Sequence, residues 1–364
     1  MKSATKLSLI FACISAIITI LLLMFNHYTW VGVLVVIIFF LLAIAAASSI
    51  KYKRFSFTIL IFGIVSLAMF YPELFIQIGD FNLKLLIVPL LQIIMFGMGT
   101  SMSLEDFKGV INMPKGVLIG LICQFTIMPV LGFSIANLFG FRSKIAAGIV
   151  LIGCSPSGLA SNVMVYLAKA NLALSITLTS IATLLAPFVT PFLMQTFAGE
   201  FIPIDVWQMM YSIVKMVILP IIAGLLFNQL FHGKLAWLDK ILPKISMGGI
   251  ALIIAIITAA GRDNLLEIGL LLILAAIIHN TVGYFLGYWS SRLLKMKEAD
   301  CRTIALEVGM QNGGLASGIA IEIGKVATVG LAPAVFGPWM NISGSALASW
   351  WRDKTLQGTV KNSF

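Results

Sequence analysis

Apolar runs separated by short polar segments repeat along the whole of this chain. Each run approaches the roughly 20 residues with which an α-helix crosses about 30 Å of hydrocarbon. No polar stretch is long enough for a separate soluble domain, so the pattern predicts one membrane-embedded, all-α unit of about twelve spans. The predicted spans cover residues 7–26, 30–49, 55–71, 84–101, 116–139, 144–168, 172–198, 206–231, 245–261, 264–291, 301–323 and 326–350.

The composition agrees with this pattern and excludes other classes of protein. Hydrophobic residues make up 60% of the 364 residues, charged residues only 10%, and the mean hydropathy is +1.05. A soluble domain carries roughly 25% charged residues. The formal net charge of +10 does not indicate nucleic-acid binding, because the basic residues lie in short loops between apolar runs.

Cysteine and histidine spacing gives no support to a metalloenzyme. The four cysteines lack CxxC spacing and are expected to pack as small apolar side chains. The three histidines are far apart, and His279 is expected to be a hydrogen-bonded core residue. The four cysteines are Cys13, Cys123, Cys154 and Cys301, and the other two histidines are His27 and His232.

The placement of lysine and arginine predicts the orientation of the chain. With the N-terminus inside, the inner segments hold eighteen of the 24 basic residues, the outer segments hold five, and Lys215 lies within a span. Such an excess is typical of cytoplasmic loops. We therefore expect a multi-pass protein of the cell (inner) membrane with both termini in the cytoplasm.

Three units are expected along the chain: an extra N-terminal hairpin at residues 1–50, a ten-helix body at 51–352 and a cytoplasmic tail at 353–364. The first apolar run also resembles a signal peptide. It is, however, longer than the roughly 7–15-residue apolar region of such signals, and a second run follows almost at once. We therefore favour a retained hairpin.

A short internal repeat lies within two of the predicted spans. The tetrapeptide Gly-Leu-Ala-Ser occurs at residues 158–161 and again at 314–317. These two spans run in opposite directions in the predicted topology, as inverted repeats do, and the repeats would occupy approximately residues 55–198 and 206–350. Chance or helix-packing glycines are the alternative explanation of so short a match.

Both copies follow a segment that disfavours a regular helix. Residues 153–158 and 309–314 are rich in glycine, and Pro156 lacks an N–H group, so backbone groups are freed at mid-depth. Half-helix ends of this kind bind cations through carbonyls and anions through N–H groups.

Glu307 is the candidate for the central charge of such a site. It lies in an apolar run beside the second interruption, where an acidic side chain costs at least about 2.5 kcal/mol unless it has a partner. A bound cation would be that partner, with Gln311 one helical turn later on the same face. The alternative is a protonated carboxyl group that is hydrogen-bonded to a neighbour.

Neutral oxygen donors accompany this carboxylate. Ser161 and Asn162 follow the first interruption, and Ser175 and Thr179 stand four residues apart on one face of the next span. Hydrogen bonding back to the same helix is an alternative role for this Ser/Thr pair. Neutral oxygens with one carboxylate suit a monovalent cation, because divalent sites usually gather more carboxylates.

These motifs resemble those of the bile acid:sodium symporter family. The similarity rests on residues 161–164 (Ser-Asn-Val-Met), 171–175 (Asn-Leu-Ala-Leu-Ser) and 307–312 (Glu-Val-Gly-Met-Gln-Asn). It implies two inverted five-helix repeats, divided into a core domain and a panel domain. It also implies that the fourth and ninth helices of the body, here 144–168 and 301–323, are broken and cross at the centre. The hairpin has no counterpart in that pattern.

The resemblance further implies two sodium sites and a substrate site, with sodium as the coupling ion and no other cofactor. The first sodium site would use Ser161, Asn162, Ser175, Thr179 and Glu307. The second would use Gln124, Glu307, Gln311 and the main-chain carbonyls of Val308 and Met310. Substrate would contact Asn312, Leu159 and Asn341. Leu159 and Met340 replace a threonine and a histidine of some relatives, so we expect different substrate contacts here.

The expected function is sodium-coupled symport of a small organic anion, such as a monocarboxylate or a pantoate-like or bile-acid-like compound, by alternating access. Proton coupling through Glu307 is the nearest alternative. An intramembrane hydrolase is disfavoured, because Ser157 and Ser161 lack a nearby base and neither HExxH nor GxSxG occurs. A channel is a further alternative, because broken helices also line pores.

The predicted orientation can be tested by labelling. Single cysteines introduced at residues 50–54 and 292–302 should not react with an impermeant thiol reagent in intact cells, because these basic clusters face the cytoplasm. They should react after the membrane is permeabilised. Labelling in intact cells would show that the orientation is wrong.

Overall fold

The structure, a computed structural model, describes residues 3–25, 30–49, 52–231 and 236–361. His27 and His232 therefore lie outside the described residues. The described helices are α1 (Ser3–Met24), α2 (Val31–Ala47), α3 (Ser56–Phe70), α4 (Glu73–Ile76), α5 (Ile87–Thr100), α6 (Leu104–Phe107), α7 (Gly109–Asn112), α8 (Pro114–Leu138), α9 (Ser143–Cys154), α10 (Ala160–Leu167), α11 (Leu172–Ala198), α12 (Val206–Ile213), α13 (Leu219–Phe231), α14 (Ala236–Ala260), α15 (Arg262–Leu293), α16 (Glu298–Gly309), α17 (Gly313–Glu322) and α18 (Leu331–Lys361).

Short irregular elements join these helices. A two-stranded antiparallel sheet, β1 (Gln77–Ile78) with β2 (Phe81–Asn82), separates α4 from α5, and Ile78 pairs with Phe81. Turns of 3₁₀-helix cover Lys53–Phe55 and Leu83–Leu86. A π-helical turn at Val214–Ile218 connects α12 to α13 without a loop.

Each predicted apolar run falls on one helix or on two consecutive helices. Among the described residues, seven helical segments are long and apolar enough to cross a membrane, and α2, α3 and α9 are shorter apolar helices. The all-α membrane class is therefore confirmed, whereas the number of twelve spans stays a prediction. The seven segments are Thr5–Leu22, Leu83–Thr100, Pro114–Leu138, Leu172–Ala198, Val206–Phe231, Ile241–Ala260 and Arg262–Leu293.

Two helices extend beyond the apolar runs that predicted them. Helix α14 begins at Ala236, ahead of the predicted span at 245–261, and α18 continues to Lys361 through the predicted tail at 353–364. Backbone hydrogen bonding continues through polar residues, so hydropathy marks only the apolar part of such a helix.

The two predicted interruptions are present, and they lie against each other. Helix α9 stops at Cys154 and α10 begins at Ala160, while α16 stops at Gly309 and α17 begins at Gly313. The Gly158 N–H donates to the Met310 carbonyl at 3.0 Å, and the Asn312 N–H donates to the Pro156 carbonyl at 2.8 Å. Ser157 and Gln311 pair there as an antiparallel bridge. The two broken helices therefore cross at their interruptions.

The crossing lies in the most buried part of the molecule. Residues Ile145–Cys154 of α9 are all buried, and so is the last half of α16. Helices α8, α11, α15 and α18 pack around this pair, whereas α5 packs mainly with α13 and α14, and α3 packs with α2 and α14.

The N-terminal hairpin packs against the body through α3. Helix α1 packs on α2, and α2 lies so close to α3 that a β-carbon on Gly32 would be 2.7 Å from the Phe70 ring. Thr5 and Ser8 are buried, while large apolar side chains of α1 such as Phe11 are exposed. An apolar outer face of this kind is typical of a helix that contacts lipid.

Deleting residues 1–50 should leave transport detectable, because none of the candidate site residues lies in the hairpin. We expect a lower yield of folded protein, since the deletion uncovers the α3 face that Gly32 and its neighbours contact. Uptake by the truncated protein in proteoliposomes, normalised to monodisperse protein, measures this. Complete loss of uptake in a well-inserted truncation would place the hairpin in the transport mechanism.

Candidate functional site

Glu307 is buried in the last turn of α16, where three hydroxyl groups surround its carboxylate. Oε1 accepts hydrogen bonds from the Ser161 and Ser175 hydroxyls, both at 2.5 Å, and Oε2 accepts from the Thr179 hydroxyl at 2.9 Å. The Asn162 Oδ1 atom lies 2.7 Å from the Ser175 hydroxyl and 3.2 Å from that of Thr179. The structure thus brings together all five residues predicted for the first sodium site, which we call the hydroxyl cluster.

Local structure explains how these side chains meet. Ser161 belongs to the first turn of α10, so the interruption at residues 155–159 directs it toward α16. Ser175 and Thr179 are one turn apart on α11 and therefore share a face. Glu307 comes from the opposite broken helix, so the cluster depends on the crossing.

A set of hydrogen bonds that the sequence did not predict holds α11 against α16. Asn171 caps α11 by accepting the Leu174 N–H at 3.1 Å, and its Nδ2 donates to Asp300 at 2.7 Å. Its own N–H donates to the Thr303 hydroxyl at 2.9 Å. Asn171 and Thr303 each precede a cluster residue by one helical turn. A polar residue four positions before Ser175 and another four positions before Glu307 were the sequence features that could have indicated this contact.

Three of the residues predicted for the second sodium site, Gln124, Val308 and Gln311, also meet and form a separate amide cluster. Gln124 of α8 donates through Nε2 to the Gln311 Oε1 at 2.7 Å, and Gln311 donates to the Val308 carbonyl at 2.5 Å. The Met310 carbonyl accepts the Gly158 N–H. Within the described part of the chain, Glu307 makes no side-chain hydrogen bond to Gln124 or Gln311, so its sharing between two sites stays a prediction.

One acceptor of the amide cluster is unused. The Gln124 Oε1 atom is buried and has no hydrogen-bond partner among the described residues. Exchanging its oxygen and nitrogen would place Oε1 against the Ser155 carbonyl and the Gln311 Oε1, which are both acceptors. The amide orientation is therefore determined, and one carbonyl oxygen remains available in a buried site.

The three predicted substrate residues lie at or beside the crossing. Asn312 is buried and caps α17 by accepting the Leu315 N–H at 3.0 Å. Leu159 is 38% exposed. The Asn341 amide donates to the Gly337 carbonyl of its own helix at 3.1 Å. Met340, next to Asn341, is buried, and its sulfur lies 3.2 Å from the backbone nitrogen of Gln311.

A cavity of about 230 Å³ opens between α12 and the far end of α17. None of the three predicted substrate residues lines it. Ser212 donates to Glu322 across it at 3.1 Å. The lining residues are Pro203, Asp205, Gln208, Met209, Ser212, Ile319, Glu322, Ile323 and Lys325.

Other chemistry-bearing residues do not form a metal centre in the described part of the chain, where no three His, Cys, Asp or Glu side chains cluster suitably. His279 is fully buried with Nε2 3.1 Å from the Met128 carbonyl, as expected of a core histidine. Cys123, Cys154 and Cys301 are buried, whereas Cys13 is exposed on α1.

Comparison with known proteins identifies the family. The sequence profile described as "Sodium Bile acid symporter family" matches residues 88–268. The chain is 41% identical over 303 residues to an uncharacterized sodium-dependent transporter, YocS, of Bacillus subtilis (strain 168), covering 83% of this chain and 92% of that protein. This chain belongs to the sodium bile acid symporter family. The resemblance inferred from the motifs is thereby confirmed.

Plant members of the family are more distant. The probable sodium/metabolite cotransporter BASS1, chloroplastic, of Arabidopsis thaliana is 34% identical over 262 residues, covering 72% of this chain and 65% of that protein. BASS1 of Oryza sativa subsp. japonica is 33% identical over 258 residues and is covered to 64%. The chain thus spans slightly less than two thirds of these plant proteins. All three relatives are named transporters or cotransporters, which confirms that the chain is not an enzyme.

Proposed function

We propose that this protein is a secondary active transporter that couples sodium to the symport of a small organic anion. The observation that carries the proposal is the hydroxyl cluster around Glu307. Its chemistry also accounts for an acidic side chain at this depth, since burying an unpaired carboxylate is costly.

The hydroxyl cluster contains more close oxygen pairs than protons to join them. Seven oxygen–oxygen pairs within 3.5 Å connect the three hydroxyls to Glu307, Asn162, the Gly158 carbonyl and one another. The three hydroxyls have one proton each, so at most three of the seven pairs are hydrogen bonds, and in the other four pairs lone pairs face each other. A cation among them would replace this repulsion by attraction. One carboxylate with neutral oxygens suits a monovalent ion such as Na⁺.

A second sodium site is proposed at the amide cluster. The unused Gln124 Oε1 supplies a neutral oxygen on the amide group that bonds Gln311, and Gln311 in turn bonds the Val308 carbonyl. A buried acceptor without a partner carries a desolvation penalty of about 1–3 kcal/mol, which an ion would remove. Two Na⁺ per transport cycle follow from the two clusters.

The substrate is proposed to bind where the broken helices cross, next to Asn312, Leu159 and Asn341. Helix α17 begins there, and the N-terminus of a helix favours an anion. The relatives named as sodium/metabolite cotransporters support a small metabolite as the other cargo. A monocarboxylate or a pantoate-like or bile-acid-like anion fits this description.

Alternating access is proposed as the mechanism, with the core helices moving against the panel helices. Both ion clusters and the crossing lie on α8–α11, α16 and α17, which we assign to the core, so they would move together. The cavity between α12 and α17 would give access from one side. The proposed location is the inner membrane, with both termini in the cytoplasm.

Proton coupling is the competing function, because Glu307 is the ionisable member of the hydroxyl cluster and its carboxylate already accepts three hydroxyl hydrogen bonds. Protonation would then replace sodium binding as the coupling event. The two functions differ in their dependence on sodium at fixed pH.

Purified protein in proteoliposomes should accumulate a small organic anion when an inward sodium gradient is imposed. A screen over pyruvate, pantoate and taurocholate at constant pH, with potassium replacing sodium as the control, measures this. Uptake should saturate with substrate and collapse when the gradient is removed. Uptake that follows an imposed pH gradient and ignores sodium would establish the proton-coupled alternative.

Substitutions in the hydroxyl cluster should raise the sodium concentration for half-maximal uptake in a defined order. Ser175→Ala and Thr179→Ala each remove one neutral ligand, and a roughly two- to tenfold rise is expected from about 0.5–1.5 kcal/mol. Glu307→Gln removes the charge, so a rise of roughly tenfold or more is expected, with coupled uptake collapsing.

Thr183→Ala is the matched control for this series. Thr183 is buried one turn beyond Thr179, but its hydroxyl bonds only the Thr179 carbonyl of its own helix within the described residues, at 2.7 Å. It should leave sodium activation unchanged. Measurements at two pH values separate the alternatives, and normal sodium activation in Glu307→Gln would refute the assignment of Glu307.

A further inference from the structure

The C-terminal end of α16 leaves carbonyl groups that the helix itself cannot pair, because the chain departs from the helix at Met310. Two of these carbonyls are bonded by groups of the interruptions. The Val308 carbonyl accepts from the Gln311 side chain at 2.5 Å, and the Met310 carbonyl accepts from the Gly158 N–H at 3.0 Å.

The carbonyl between these two, that of Gly309, is bonded by a side chain of another helix, α15. Gly309 O accepts from the Nδ2 of Asn280, in the middle of α15, at 2.6 Å. Asn280 is completely buried, and no predicted sodium or substrate ligand is on its helix. The interruption is therefore held from outside by one amide.

A second contact orients that amide. The Ser343 hydroxyl of α18 donates to the Asn280 Oδ1 at 2.5 Å, so the amide nitrogen must face Gly309. Tyr284, one turn beyond Asn280, packs directly on Gly309: a β-carbon there would lie 2.1 Å from its ring. Helix α15 thus fixes this residue both by a hydrogen bond and by close packing.

The bonded peptide controls the directions of its neighbours. The peptide between residues 309 and 310 is held at its oxygen by Asn280 and at its nitrogen by the Leu306 carbonyl, at 3.1 Å. It lies between the peptides whose oxygens belong to Val308 and Met310. Because this peptide is planar and held at both its oxygen and its nitrogen, the backbone angles that set the directions of the two flanking peptides relative to each other are restricted.

We propose that Asn280 is a positioning residue for the second sodium site. It binds no ion itself; it holds the 309–310 peptide so that the flanking carbonyls of Val308 and Met310 converge with Gln124 and Gln311. Ser343 acts one step further out by orienting Asn280. The inference rests on the proposed sodium coupling and adds residues of α15 and α18 to the site.

The test is Asn280→Leu, which keeps a similar side-chain size and removes the donor. The Ser343 hydroxyl still has the Trp339 and Met340 carbonyls as acceptors, at 3.1 and 3.2 Å, so it keeps a hydrogen-bond partner in the variant. Loss of an outer partner typically weakens a metal site about 10–100-fold. We expect the sodium concentration for half-maximal uptake to rise about tenfold.

Two features separate positioning from general damage. The sodium activation curve should become less sigmoidal, because the hydroxyl cluster is already filled over the sodium range in which the weakened amide cluster binds its ion. The substrate KM at saturating sodium should stay at its wild-type value. A variant that is merely destabilised would lose maximal rate at an unchanged sodium requirement.

Asn264→Leu is the matched control. Asn264 is on the same helix and its amide also donates to a carbonyl of another segment, that of Ala327 at 3.2 Å. It lies about 24 Å from Asn280 along the helix at 1.5 Å per residue. Its replacement should leave the sodium curve unchanged.

Thermal unfolding of the purified variants in sodium and in potassium gives the second readout. Asn280→Leu leaves the Gly309 carbonyl without its donor, so its Tm in potassium should fall, and it should in addition lose part of the increase that sodium produces. If it fails to fold, Ser343→Ala should show a smaller shift of the sodium curve in the same direction. A wild-type sodium curve in the folded variants would overturn the inference alone. Wild-type protein without sodium activation would overturn the proposed function and this inference with it.

Discussion

A backbone group inside a membrane has no water to bond, so an interrupted helix needs a partner for every N–H and carbonyl that it frees. In this protein two interruptions supply those partners to each other. The Asn312 N–H bonds the Pro156 carbonyl, and the Gly158 N–H bonds the Met310 carbonyl. Either interruption alone would leave these groups unpaired, so the crossing is the constraint on which the site depends.

The side-chain chemistry follows from that constraint. Because α16 stops at Gly309, Glu307 lies in its last turn and reaches hydroxyls of α10 and α11. Asn171 and Thr303 then hold α11 and α16 in register one turn away. The cluster therefore combines three helices, and moving any one of them relative to the others would disperse it.

The two copies of the internal repeat lie at similar interruptions, but their side chains make different contacts. Ser161, in the first Gly-Leu-Ala-Ser copy, contacts Glu307, whereas Ser317 in the second copy bonds the Gly313 carbonyl of its own helix at 2.8 Å. Hydroxyls surround the Glu307 carboxylate, whereas the amides of Gln124 and Gln311 bond each other. Two unlike polar clusters thus lie beside one pair of repeated interruptions.

The sequence by itself determined the membrane class, the positions of both interruptions and the family. These depend on local properties: hydropathy over some twenty residues, the missing N–H of Pro156, and the short motifs around Asn162 and Glu307. Only the tertiary structure decided which groups are joined. Asn280, Asn171 and Thr303 look like ordinary polar residues in sequence, because a hydrogen bond between residues 29 or 132 positions apart leaves no local pattern. The hydroxyls that bond the Glu307 carboxylate, and the Gln124 oxygen that has no partner among the described residues, likewise depend on how the helices pack.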